Sequence, residues 1–353
     1  MSQGTKLDMV LHCPVPVAAV ESILLGHGSG GRMSGNLLRD IVLPALQNPV
    51  LERLDDQAIV NVGESRIAFT TDSFVVKPLF FPGGDIGTLA VNGTVNDLAM
   101  GGATPLFLSL ALILEEGLPF DTLRRVMESI RVAAALAGVV VVTGDTKVVE
   151  KGSGDGLFVN TSGIGLLSSD VRLSADQARP GDRVLLSGTI GDHGITILSQ
   201  REGLEFESAI ASDTAALHTL VAEMLRASSE IRCLRDPTRG GVSSSLNEIA
   251  ARSRVGIELE EQAIPIREEV QGACEMLGLD PLYVANEGKL LAIVAPSAAE
   301  SMLEAMQRHP HGRDARIIGT VTDSHPAMVT LRTRLGTSRI VDLLSGDQLP
   351  RIC

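Results

Sequence analysis

The chain has 353 residues, 44% of them apolar and 21% charged, an ordinary globular balance long enough for two cores. A formal net charge of −13, eight Phe, one Tyr and no Trp leave neither a basic surface for phosphate backbones nor rings for stacking bases, which excludes nucleic acid as a partner. No apolar run approaches the roughly 18 residues that a membrane helix needs. Four dispersed cysteines (Cys13, Cys233, Cys274 and Cys353) form neither a zinc signature nor a disulfide frame, so a reducing cytoplasm is expected.

Residues 1–25 hold a short apolar patch broken by His12, Pro14 and Pro16, and read as a flexible extension rather than a signal. The glycine-rich GHGSGGRMSG follows, then a helical stretch NLLRDIVLPAL. SRIAFTTDSFVV reads as a strand, DIGTLAVNGTVNDLAMGG as a helix, and LFLSLALIL as an apolar strand. PFDTLRRVMESIRVAAALAG is the clearest helix, because Leu123, Val126, Met127, Ile130, Ala134 and Ala137 recur at three and four and Gly138 marks a stop. VVVVTGDTKVV is expected as a buried strand running into a loop, with LFVNTSGIGLL as the next strand. ADQARPGD, with its Pro-Gly pair among polar residues, is the candidate boundary between two domains, 26–175 and 176–340. Beyond it RVLLSG, the helix after GDHG, the helix opened by DPTRGG, a long strand LYVANEGKLLAIVAP, helix 297–308 and strands near 314–332 complete the body, leaving a mobile tail over 341–353. The expected fold class is α+β, two mixed domains with largely antiparallel sheets.

Four aspartates stand at the mouths of apolar segments: Asp56, Asp72, Asp97 and Asp145. Any one of them alone is compatible with a solvated loop. Together, flanked by small and hydroxyl residues, they suit Mg²⁺ between protein carboxylates and a nucleotide's phosphates. Gly28, Gly30 and Gly31 would let backbone N–H groups approach those phosphates, although the loop matches no P-loop pattern and is equally compatible with a hinge. His27 is either a phosphate donor or a solvated loop histidine. Lys147 is placed to neutralise phosphate charge. Glu287, in an otherwise apolar segment, would gain a raised pKa and take a proton. Asp192, His193, Asp236 and Arg239 fall at helix starts and read mainly as caps, with anion contacts as the alternative. Cys13, Cys233 and Cys274 read as buried or incidental thiols.

FTTDS, VNDLAMGGATP, VVTGDTKVV, SGTIGDHG, DPTRGG, ANEGK and PRIC, in this order from Gly26 to Cys353, resemble the HypE family, the carbamoyl dehydratases of nickel–iron hydrogenase maturation. That family lies within the PurM-like superfamily of aminoimidazole ribonucleotide synthetase. The resemblance implies PurM-like domains, a homodimer whose N-terminal domains share a β-barrel, and ATP with Mg²⁺ as cofactors. It implies that Cys353 is carbamoylated by the carbamoyltransferase HypF and dehydrated to a thiocyanate. The cyano group would then pass to the HypC–HypD complex. Lys147 and Glu287 match the positions that act on the carbamoyl group. Alternatives are a small-molecule synthetase of the PurM or selenophosphate type, or a non-enzymatic assembly protein. Pro350 biases Leu349 toward an extended conformation, and the stretch from Gly346 to Cys353 spans roughly 27 Å when extended, enough to reach a cleft.

Overall fold

The computed structural model describes residues 22–203 and 210–344. Cys13, Cys353 and most of the proposed N-terminal extension and tail lie outside them. The chain enters through a short 3₁₀ turn, Leu25–Gly28, and then a helical run of α1 (Arg32–Leu37), a π-helical turn (Leu38–Val42) and α2 (Leu43–Leu46). Pro44 has no N–H to give the α ladder, and the π turn falls just before it.

The first sheet is built from β1 (Ala58–Val62), β2 (Ser65–Phe74), β5 (Thr104–Glu115), β6 (Val140–Val149) and β7 (Leu157–Leu167), in the order β1-β2-β7-β5-β6. A small pair, β3 (Phe80–Phe81) and β4 (Gly84–Asp85), leads into α3 (Ile86–Met100). α4 (Phe120–Ala137) makes the crossover that leaves β5 and β6 parallel, while the other pairings are antiparallel. α3 is apolar on nearly every side and buried along almost its whole length. Asp85 caps it by accepting from the Gly87 and Thr88 N–H groups. Gly163 lets α3 lie against β7: a Cβ there would stand 2.7 Å from Thr94 Cγ2. α4 buries Val126, Ile130, Ala133, Ala134 and Ala137, and ends at Gly138 in the left-handed region. Burying a Val or Ile there is worth about 2 kcal/mol over leaving it in water.

The second sheet has seven strands: β8 (Arg183–Leu186), β9 (Ile231–Arg235), β10 (Gly256–Glu260), β11 (Leu291–Val294), β12 (Arg316–Thr322), β13 (Met328–Arg332) and β14 (Ser338–Ile340). Their order is β14-β13-β10-β12-β8-β11-β9. Only β10 and β13 are parallel in it. Around it pack α5 (Asp192–Glu202), α6 (His218–Ala227), α7 (Gly241–Ser253), α8 (Glu268–Leu277) and α9 (Ala299–Arg308). The apolar core crosses between the two sheets, since Ala99 and Met100 of α3 join Leu217, Leu220, Met224 and Leu234 in one cluster. No described helix is long and apolar enough to cross a membrane.

Two strand expectations are corrected. VVVVTGDTKVV forms β6, but as the exposed edge of the sheet, with Val140 57% and Val148 67% exposed. Val140 lies on the open sheet face beside Phe107, whereas Val139, just before the strand, is buried in the core with α3. LYVANEGKLLAIVAP is not one strand: only Leu291–Val294 pairs, and Asn286, Glu287 and Gly288 form a loop whose polar groups bond other segments. The first sheet is open, and no closed barrel forms among the described residues.

Candidate active site

Acidic side chains from both sheets converge where the sheets meet. Asp56 precedes β1, Asp72 lies on β2, Asp97 on α3, Asp236 follows β9 and Glu287 precedes β11. The Thr70 hydroxyl stands 2.7 Å from Asp97 Oδ2 and 2.9 Å from the Asp56 carbonyl, so one side chain on β2 ties two of them together. Asp72 Oδ1 accepts the Ser73 N–H at 2.8 Å. Burial raises the Asp97 carboxyl well above the usual range, with Asp236, Asp72 and Asp56 adding to the effect. Asp236 is pushed up to about 8 by burial and by Asp56, and Asp56 to about 6 by burial despite Arg235 beside it. Burial and the neighbours Asp72, Asp236 and Asp213 raise Glu287 strongly, while Arg239 opposes them. Glu287 is 3% exposed, and its Oε1 has no hydrogen-bond partner among the described residues.

Arg235 is the main counter-charge. Its guanidinium bonds Asp56 and, at 2.5 Å, Glu248, and also donates to the Leu54 carbonyl at 3.3 Å. Burial works against its charge, but Asp56 and Glu248 outweigh this and raise its pKa.

The glycine loop lies beside this acid group. Arg239 donates to the Gly28 carbonyl at 3.3 Å, and a Cβ on Gly30, where φ is +75°, would stand 2.6 Å from the Arg239 carbonyl. A Cβ on Gly31 would stand 2.4 Å from the Leu344 carbonyl, whereas Gly28 faces open space. The Arg32 N–H donates to Leu344 O at 2.8 Å, and Arg32 pairs with Asp342 at 2.7 Å. Leu344, the last described residue, therefore sits against the glycine loop. His27 Nδ1 stays local, 2.9 Å from the Leu24 nitrogen.

Asp145 and Lys147 are elsewhere. They pair with each other at 2.9 Å, both well exposed, on the edge strand β6. The register sets them opposite Ala111 and Ile113, on the open face of the sheet, whereas Asp72 shares the α3-covered face with Thr70 and Phe74. Three strand spacings separate β6 from β2, about 14 Å.

Sequence reasoning read Asp236 mainly as a cap. The N-cap of α7 is Gly240, with no side-chain bond, and Asp236 is a buried member of the acid group instead. Asp192 is likewise no cap: it is buried against Thr189 at 2.6 Å and Arg267 at 3.3 Å. His193 lies 2.8 Å from the Ser212 hydroxyl. Arg235 and Asp213 join the site only through partners distant in sequence. A charged residue closing an apolar strand, as in CLRDPTRGG, was the available signal for Arg235. Cys233 and Cys274 are buried free thiols.

The donor set is all oxygen and carries an excess of negative charge, which suits a hard divalent cation. Among the described residues no three Asp, Glu, His or Cys groups are close enough to grip a bare ion.

Residues 54–167 match the AIR synthase related protein N-terminal domain, and residues 179–331 the C-terminal domain of the same family. Carbamoyl dehydratase HypE of Azotobacter vinelandii is 59% identical over 332 residues, spanning 94% of this chain and 97% of that protein. Among solved structures, a HypE–HypF complex contains a chain 50% identical with a TM-score of 0.83, covering 87% of this chain and 99% of that one. A HypE in complex with ATP is 49% identical with a TM-score of 0.80, covering 94% of this chain and 100% of the other.

Proposed function

The chain belongs to the HypE family of carbamoyl dehydratases, built from two AIR synthase related domains, and from that premise we propose that it dehydrates a carbamoyl group carried on its own Cys353 at the expense of ATP. The observation that carries this reading is the convergence of Asp56, Asp72, Asp97, Asp236 and Glu287 beside the glycine loop, against which Leu344 packs.

A carboxamide gives up its oxygen poorly as hydroxide. Transfer of the γ-phosphoryl group to the carbamoyl oxygen releases ADP and turns that oxygen into a leaving group. The C–O bond then breaks, phosphate departs with the electron pair, and the nitrogen loses two protons as the C≡N bond of the thiocyanate completes. Glu287, buried and carrying an oxygen free to accept, is the group we assign to proton transfer. One or two of Asp56, Asp72, Asp97 and Asp236, together with the nucleotide's phosphate oxygens, would hold Mg²⁺, which when bound supplies charge neutralisation for the transferred phosphoryl group. Arg239 and the main chain at Gly30 and Gly31 border the same space and orient the phosphates. Cys353 lies nine residues beyond Leu344, a chain length whose maximum reach is roughly 30 Å, sufficient to bring its thiol to the site.

The open sheet face supports a homodimer in which the first sheets of two copies close a shared barrel. Phe69, Ile164, Phe107 and Val140 are direct neighbours across four strands, and all are at least 38% exposed. Lys147 and Asp145 lie on that face, so in this reading they serve a site completed by the second copy. HypF as carbamoyl donor and the HypC–HypD complex as acceptor of the cyano group complete the proposal, the first supported by the crystallised HypE–HypF complex. The free thiols of Cys233 and Cys274 support a reducing, cytoplasmic setting.

Cys353→Ala tests the assignment. After incubation with the carbamoyltransferase, carbamoyl phosphate and ATP, mass spectrometry of the unsubstituted chain should show gain of one carbamoyl group and then loss of one water. The variant should bind ATP and show neither change. Dehydration at a residue other than Cys353, or none in the unsubstituted chain, overturns the reading.

A further inference from the structure

The peptide carrying Glu287 is held on both sides. Its N–H donates to Asp213 Oδ1 at 3.0 Å, and its carbonyl accepts from the Ala215 N–H and from Asn96 Nδ2, each at 3.4 Å. The other oxygen of Asp213 accepts from Lys289 Nζ at 2.9 Å, with side-chain exposures of 3% for Asp213 and 12% for Lys289. Between Glu287 and Lys289 in the chain lies Gly288, where a Cβ would stand 1.8 Å from the Asp213 carbonyl, so only glycine allows the approach. Asn286, one residue earlier, is fastened to Pro237 O at 2.9 Å and to the Gly191 N–H at 2.8 Å. Asn96, the neighbour of Asp97, also accepts from the Leu217 N–H at 2.8 Å and donates to Ala215 O at 3.0 Å. The Glu287 backbone is thus fixed to the acid-bearing helix through the 213–217 segment, while its carboxyl keeps an oxygen unbonded in the site.

We propose that Asp213, with Lys289 as its counter-ion, is a positioning residue for the dehydration: it clamps the Glu287 peptide so that the carboxyl meets the carbamoyl nitrogen. This rests on the assignment of Glu287 to proton transfer. A buried ion pair contributes little net stability, because desolvation offsets attraction, so geometric control is the better account of its presence. A shift on the order of 1 Å in a reacting group costs up to about 100-fold in rate.

The test is single-turnover conversion of the full chain, carbamoylated at Cys353, with ATP affinity measured alongside by calorimetry. Asp213→Ala should slow dehydration by about 10- to 100-fold while leaving ATP affinity within about twofold. Asp213→Asn, which keeps an acceptor for the Glu287 N–H, should recover part of that loss. The double variant Asp213→Ala/Glu287→Gln should be no slower than Glu287→Gln alone, since Asp213 acts through Glu287. An unimpaired Asp213→Ala, a parallel loss of ATP affinity, or a slower double variant overturns the proposal. Full activity in Glu287→Gln overturns the Glu287 assignment itself, and with it this one. Should Asp213→Ala fail to fold, Asp213→Asn and Lys289→Met carry the same comparison.

Discussion

At the scale of single residues, the molecule concentrates negative charge and then restrains it with few cations. Arg235 bonds Asp56, Glu248 and the Leu54 carbonyl at once, joining the end of β9 to the segment before β1. Removing one member of such a buried arrangement leaves the others uncompensated. Arg235→Met should therefore cost about 3–5 kcal/mol of stability, read as a lower urea midpoint at unchanged slope. An exposed pair behaves differently. Arg32 and Asp342 stand 2.7 Å apart with side chains 52% and 62% exposed, so water screens their attraction.

At the scale of elements, β6 is the decisive strand. Four valines in sequence at 139–142 read as a core strand, because a continuous apolar run is what a strand buried on both faces shows. The sheet order puts it at the edge, where Val140 continues the row Phe69, Ile164 and Phe107 over the open face while Val139 stays in the core. Val140→Lys puts a charge in that row. If two copies close over this face, the substitution should convert a dimer to a monomer in light scattering at unchanged far-ultraviolet circular dichroism. A persistent dimer would place the contact elsewhere. α3 is the complementary case: largely apolar and capped by Asp85, it is a helix buried on nearly every side, and of its polar residues Asn96 and Asp97 face the site region.

At the scale of the whole molecule, folding brings carboxyls from both sheets close enough to raise one another's pKa. Asp236 rises from the ordinary 3.8 to about 8, and Asp97 and Glu287 shift in the same direction. The folded chain therefore holds protons that the unfolded chain releases. Stability from these groups is complete below the unfolded pKa and is lost as pH climbs through the folded one. The melting temperature of the ligand-free protein should fall as pH rises from about 4 to about 8, and Asp236→Asn should flatten the fall. A rising or flat profile in the unsubstituted chain would contradict this account of the acid group.

Helices α3 and α4, strands β2, β5 and β7 and the alternation of the second half follow from local information: apolar period, caps and turn glycines act within a few residues. The carboxylates Asp56, Asp72, Asp97 and Glu287 and the resemblance carried by ordered motifs were legible for the same reason, since each is written in a short stretch. What only the tertiary structure decided is which charges meet. Asp236 read as a cap because its partners are far away in sequence, and Asp213 and Arg235 show their purpose only once the two sheets bring Glu287 and Asp56 to them. Asp145 looked equivalent to the other aspartates until sheet order and register set it on the opposite face. Local patterns fix how each segment curls or extends, but mutual electrostatics depend on distances through space, and those exist only after long-range packing has been settled.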